Sequence, residues 1–531
     1  MCAVWAQPLP AAFPAVMPVL EALQLRETVA GMVTKQWNNG VDHADALMVL
    51  LLMILDYGGP RPLCDVADWA EQFGTELLLG LKPAQLHDNK IGQTLDALVP
   101  VDAEGECDLS LLAELLNRLA DAAVCRYGIA TDVLHYDFTQ VSFTGVYGDS
   151  TLLRKGKGPG RRQFELGLNV TAEGGFPLLA RVHPGATNHT VSVPRNLLEL
   201  TRRLPGKKFC VVTDAAGLCY DNVVAYERAD QHFLSPRQLQ PWEKQEIEAL
   251  AAGQFALARY RSGNDDRFWL HERPWTLEPK GKNQGPVSMR AVVVISEDNQ
   301  RTEQEKADLQ MRKLLERLEF IAAQAGSRGN YARADYVQQM ADKALAKYSQ
   351  AGAFVTVQVP EQPSLSWTVD REGFVDWRGR RGRWVLFTNL PAQSHSADDL
   401  LEIYRGRHVV EASFRQLKSE LELSPVFVHL DNRLHALAGV YVIALMVLSL
   451  LQLLARRAEL ATKRGQALTA RELLRHLKAV TAVVAAVDGQ LRATVGPLSD
   501  QAQQYLTAMG FPDAQHWITV PPLDHHALSR I

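Results

Sequence analysis

Tyr404–Lys418 reads YRGRHVVEASFRQLK. On a helix each residue turns by about 100°. With Tyr404 at zero, Arg407 falls at about −60°, Glu411 at about −20° and Lys418 at about −40°, so four polar side chains share one narrow face with Arg415 beside them. Ile403, Val410, Phe414, Leu417 and Leu421 make a second stripe between about −80° and −140°, suited to docking on a sheet. One stripe pins such a helix while the other presents a carboxylate flanked by cations. Gly406 is a blemish, costing about 1 kcal/mol.

Two aspartates far upstream give that carboxylate company. Asp is depleted in strands because its short side chain competes for backbone donors and resists burial. Yet Asp137 sits inside VLHYDFTQVSF (133–143), a β-branched and aromatic run with near-alternation, and Asp214 closes the apolar FCVVTD (209–214). Each alone reads as a turn or cap residue. Together with Glu411 they suggest a cluster whose mutual repulsion divalent cations must offset. Hard oxygen donors favour Mg²⁺ or Mn²⁺.

Composition sets the frame. The 531 residues suggest three or four folding units. With 47% apolar and 22% charged residues, disorder and fibrous repeats are excluded. Fifty-six basic against sixty acidic side chains give net −4, so a nucleic-acid surface must be a local patch. Six cysteines include no CxxC pair, which suits a reducing cytosol. The N-terminal stretch has no basic n-region and is broken by four prolines, unlike a signal peptide. Leu437–Leu451 is uncharged but short of the roughly 20 residues a bilayer demands, so a buried helix and no membrane association are expected.

Residues 1–130 read as a helical N-terminal domain, with ALMVLLLMILDYGG, HDNKIGQTLDAL and LSLLAELLNRLADAAVCRYG as amphipathic or apolar helices. From 131 to 235 come the Asp137 strand, two strands joined at Glu173-Gly174-Gly175, a helix over VSVPRNLLELTRRL and the strand ending at Asp214, the order of a mixed α/β sheet. Residues 236–385 interrupt it with β-like runs and a helical pair, 303–324 and 331–349. The stretch 386–455 resumes the core with helices 398–422 and 434–455. A helical C-terminal region, 456–531, follows, its last helix showing Asp500 and Gln503 at capping-box spacing. Two basic runs, Arg154–Arg162 and Arg378–Arg383, are candidates to track a phosphate backbone.

Tyr404, Arg407, Glu411 and Lys418 reproduce Y-x2-R-x3-E-x6-K, and here the chain resembles the insertion-sequence-4 superfamily of DDE transposases. DFTQVSFTG and VVTDAAGLCYDN resemble that family's first and second aspartate strands, and WVLFTN with the Tyr404 block resembles its third. HDNKIGQTLDAL and the N-terminal helices are similar to the insertion-sequence-1634-type branch. His408-Val409-Val410 departs from the apolar or aromatic residue common before the glutamate.

The resemblance implies an α/β fold: an RNase H-like mixed-sheet core flanked by helices, with a β-rich insertion carrying a helical hairpin and a helical N-terminal domain that binds DNA ends. The 77-residue and 197-residue separations of Asp137, Asp214 and Glu411 leave room for that insertion before the glutamate. It further implies that Asp137, Asp214 and Glu411 are catalytic and hold two Mg²⁺ or Mn²⁺ ions for in-line attack on a phosphodiester. Tyr404, Arg407, Lys418 and the neighbouring Arg415 would contact DNA phosphates. Partners implied are double-stranded DNA (inverted-repeat transposon ends and target) and a second copy in a synaptic homodimer, in the cytoplasm of a bacterium. Relatives stack a flipped base on an aromatic side chain, for which Trp367, Trp377 and Trp384 are candidates. A divalent-metal nuclease without strand transfer, or an inactive DNA-binding descendant, are the rival readings.

Overall fold

The computed structural model describes residues 3–519 apart from 34–39, 57–61, 144–149, 156–161, 264, 280, 282–283, 422, 424–427, 463–464, 478–479 and 488–489. Two compact units result: Met1–Thr213 with Arg228–Gln231 and Arg405–Ile531, and Asp214–Glu227 with His232–Tyr404.

In the first unit, β1 (Val133–Phe143), β2 (Arg162–Thr171) and β3 (Pro177–Pro184) run antiparallel. Gly174 (φ 78°) and Gly175 (φ 64°) make the turn from β2 to β3, a left-handed backbone that residues with a Cβ resist. A parallel neighbour needs a crossover, and the helix His189–Arg203 supplies it before β4 (Cys210–Val212). β4 pairs with β1 in the register Val133↔Cys210, Leu134↔Val211, His135↔Val212, so the strand order is β3-β2-β1-β4. Leu134, Leu166, Leu168, Val170, Val211 and Val212 are buried in this sheet.

The apolar helix Asp431–Arg457 passes through the same unit. Helices Phe13–Ala22, His43–Leu55, Asp88–Leu98 and Ser110–Tyr127 pack on it, as does β3. It is long and apolar enough to cross a membrane, but 83% of its most apolar window is covered by protein. Its first turn is fastened to the N-terminal helices by Arg433, whose Nε and Nη2 donate to Asp96 at 2.8 and 2.7 Å. Gly92 makes room: a Cβ there would stand 2.9 Å from the guanidinium.

The terminal regions are not wholly helical, contrary to the reading of 1–130 and 456–531. Ala3–Pro8 is a strand paired antiparallel with Thr481–Val487, which pairs in turn with Gln490–Val495. Val483 and Val484 supply the β-branching, but alanines dilute the pattern and the partner strand lies at the other end of the chain. The last helix, Asp500–Ala508, is capped by Ser499, one residue before the Asp500 expected from the capping-box spacing.

In the second unit, β5 (His232–Pro236), β6 (Phe268–Leu277), β7 (Val287–Ser296) and β8 (Arg383–Thr388) form an antiparallel array ordered β5-β8-β7-β6. Residues 236–385 are therefore not one separate insertion, because β6 and β7 extend the ladder that β5 and β8 begin. What stands apart is the hairpin Glu297–Gln324 and Ala334–Lys347, with two short strands and the helix Arg371–Gly379. Leu314, Leu318, Ile321, Val337, Ala341 and Phe374 close a core of their own there.

Candidate active site

Asp137 lies mid-strand on β1, on the same face as His135 and Thr139, with only 17% of its side chain exposed. Its Oδ1 accepts the Phe138 N–H at 2.8 Å, and its Oδ2 accepts from Arg407 Nη2 at 2.7 Å. The Arg407 side chain is 19% exposed, so this ion pair bridges 270 positions of chain in partial shelter from water. His135 is fully buried, and neither ring nitrogen has a hydrogen-bond partner among the described residues. Burial first, then the charges of Arg407 and His408, hold its pKa down to about 4, so the imidazole is neutral at pH 7.

Arg407 belongs to a bend. The single helix expected over 398–422 is two helices, Ala397–Arg405 and His408–Arg415, followed by a wider π-type turn at Gln416–Glu420. Gly406 sits in the break, and Leu421 N–H reaches back five residues to the Gln416 carbonyl at 2.8 Å. The 100° arithmetic presumes an unbroken helix, so the one narrow face from Tyr404 to Lys418 does not exist as drawn. What the shorter helix and the π-type turn together retain is the docking stripe of Val410, Phe414 and Leu417, all buried.

The tight glycine turn holds this helix in place. Ser413 Oγ donates to the Gly175 carbonyl at 3.3 Å or to its own Val409 carbonyl at 3.0 Å, and Ser449 Oγ also reaches Gly175 at 3.3 Å. Beyond the docked face, His408, Glu411, Arg415 and Lys418 are exposed. His408 Nδ1 lies 3.1 Å from the Arg405 carbonyl; a carbonyl only accepts, so Nδ1 carries the proton. Desolvation of its ammonium holds Lys418 below the ordinary lysine value.

Asp214 and Tyr404 belong to the second unit. Asp214 Oδ1 accepts the Ala216 N–H at 3.0 Å, capping a short turn, and its carbonyl accepts from Ser235 Oγ at 2.8 Å. The Tyr404 ring lies 5.3 Å from that of Trp384, at 44°. Among the described residues, no three His, Cys, Asp or Glu side chains are gathered as a metal site. Among the described residues, the structure joins Asp137 directly to Arg407.

Two other candidate sets have structural work. Arg378 pairs with Asp308, Arg380 with Asp376 and Arg381 with Glu303, at 2.7, 2.7 and 2.8 Å. Arg383 donates to the carbonyls of Ile247, Glu248 and Leu250, closing a helix C-terminus. Trp367 and Trp377 pack on the core of the helical hairpin. The middle of the other basic run, 156–161, lies outside the described residues.

Residues 136–447 match the model of the transposase DDE domain, and residues 12–106 match a domain of unknown function. No curated protein matches. Among solved structures, the chain is similar to a piggyBac transposase synaptic complex with hairpin DNA. That match has a TM-score of 0.39 and 7% identity, and covers 89% of this chain and 82% of that one. The family match spans more than half of the chain and contains the Asp137–Arg407 pair together with Asp214, Tyr404, Glu411 and Lys418; the chain belongs to the DDE-domain transposases, enzymes of DNA transposition.

Proposed function

We propose that this transposase cuts DNA at the ends of its element and joins the freed ends to target DNA, using Asp137, Asp214 and Glu411 as its catalytic carboxylates. The observation that carries the reading is the 2.7 Å contact from Arg407 to Asp137, which ties the first carboxylate to the helix bearing Glu411. Register supports the second: Asp137 and Asp214 each follow by two residues the last paired position of β1 and β4, His135 and Val212. The strand order β3-β2-β1-β4, three antiparallel strands joined to a parallel one by a helical crossover, is a mixed sheet flanked by helix, as the RNase H-like core implied by the resemblance requires. The signature spacing supports the insertion-sequence-4 superfamily, and the N-terminal helices its 1634-type branch.

Three carboxylates are a hard-oxygen donor set that fits Mg²⁺ or Mn²⁺, and Asp137, Asp214 and Glu411 would hold the ions. Such a pair supplies Lewis acidity and a nucleophile at neutral pH. The chain's own cations do the rest. Arg407 offers a planar fork that suits a phosphate, and Lys418 and Arg415 add point and fork charges on the exposed helix face. Water attacks the phosphodiester in line and breaks its P–O3′ bond, leaving a 5′-phosphate and a free 3′-hydroxyl; that hydroxyl then attacks a target phosphodiester, forming a new P–O bond and expelling the target strand's own 3′-oxygen as a hydroxyl. Double-stranded element ends, target DNA and a second copy of the chain are the partners.

Asp137→Ala, Asp214→Ala and Glu411→Ala are each expected to abolish cleavage of an element end while binding to it largely survives, as read by gel-resolved nicking beside a mobility-shift assay. Near-normal nicking by any one would remove that residue from the set. A pre-nicked end incubated with target DNA separates the two chemistries, since hydrolysis with no joined product would establish a nuclease.

A further inference from the structure

The geometry points to a gate in which Arg407 occupies the cation-binding oxygen of Asp137 until a DNA phosphate takes the guanidinium away. This rests on the proposed role of Asp137 as a metal-binding carboxylate. Both Asp137 oxygens are engaged, Oδ1 by the Phe138 N–H and Oδ2 by Arg407 at 2.7 Å. The pair is only 17–19% exposed, so it is not a solvent-screened surface contact. A carboxylate oxygen held by a guanidinium is a poor ligand for a divalent cation. One of that oxygen's two lone pairs is taken up, and a fixed positive charge stands within a few ångströms of where a second would settle.

Arg407 can be drawn off because a phosphate presents the same acceptor geometry as a carboxylate, and the guanidinium fork suits both. Its position in the bend between two helices, with the exposed cations Arg415 and Lys418 flanking Glu411 just beyond, puts that exchange where a DNA backbone would lie. Releasing Asp137 leaves its negative charge uncompensated as the DNA docks. The chain then takes its divalent ions when substrate is present and holds them weakly when it is not. By linkage the preference is reciprocal: whatever factor DNA adds to metal affinity, metal adds to DNA affinity.

The test is Mn²⁺ binding to the full-length protein, read as free-ion electron paramagnetic resonance, with and without a short duplex of the element's end. Wild type is expected to bind Mn²⁺ weakly alone and about tenfold or more tightly with DNA. Arg407→Gln, which removes the charge, is expected to gain about the same factor without DNA. Arg407→Lys, which keeps the charge, is expected to stay within about threefold of wild type. Equal DNA-free affinity of wild type and a folded Arg407→Gln protein overturns the gate. If that variant does not fold, wild type alone decides, because a DNA-induced factor of one overturns it equally. Asp137→Asn separates the two ideas. If it abolishes DNA-dependent Mn²⁺ binding while Arg407→Gln changes nothing, the carboxylate role stands and the gate falls; if it leaves Mn²⁺ binding unaltered with and without DNA, both fall.

Discussion

Gly175 shows how one residue governs the site from beneath. Its left-handed φ of 64° and its carbonyl, shared by Ser413 and Ser449, put the turn directly under the helix that carries Glu411. A Cβ there would meet Ser413 Oγ at 3.3 Å and the Val409 carbonyl at 3.4 Å. Gly175→Ala is therefore expected to lose about 1–2 kcal/mol from backbone strain, and to lower cleavage by displacing the helix. Urea unfolding beside a nicking assay would read both, and unchanged values in each would show the turn to be indifferent. The glycine pair was legible as a turn, because Glu-Gly-Gly between two apolar runs has few other uses. Its second role was not, because the helix it supports lies over 230 residues away. Asp137 was legible as an acidic residue inside a strand, whereas its partner was not: the i, i+4 spacing offers Glu411 as the carboxylate for Arg407, and nothing in the sequence points to Asp137.

At the scale of elements, helical periodicity worked only as far as the helices are continuous. The stripe of Val410, Phe414 and Leu417 survives because it falls within a few turns, whereas the relation of Tyr404 to Glu411 does not survive the break at Gly406. A charge run is subject to a related limit: Arg378–Arg383 is dense in sequence, but each of its cations has an intramolecular partner, a carboxylate or a helix end. The fork from Arg433 to Asp96 is the clearest tie between the N-terminal helices and the apolar helix. Arg433, then Asn432, hold the Asp96 carboxyl below the usual range against the opposing effect of burial. With about a third of each side chain exposed, Arg433→Ala is expected to cost on the order of 1 kcal/mol. That contribution is present above the unfolded pKa and is lost as pH falls through the lower folded value, so wild type and variant should converge in urea midpoint in strong acid. A constant gap at pH 2 and pH 7 would rule the pair out as the cause.

Across the first unit as a whole, one buried and one half-buried imidazole tie stability to pH. His183 and His435 are each held down to about 4, by burial first, then by Arg181, Arg195 and His189 for the former and by Arg181 for the latter. An unfolded histidine titrates at about 6.5, so between there and about 4 the unfolded chain takes up protons that the folded one refuses. Stability is complete above that window and falls as pH drops through it, by up to about 1.4 kcal/mol per pH unit per ring. A urea midpoint lower at pH 5 than at pH 7, and a smaller difference once both residues are Gln, is the expected result. The pairing of Ala3–Pro8 with Thr481–Val487 has a consequence for biosynthesis. The first strand leaves the ribosome 473 residues before its partner begins, roughly half a minute to a minute and a half at ordinary elongation rates. A polypeptide ended by a premature stop upstream of 481 never acquires that partner, so incomplete translation products carry an open edge for proteases and chaperones to find.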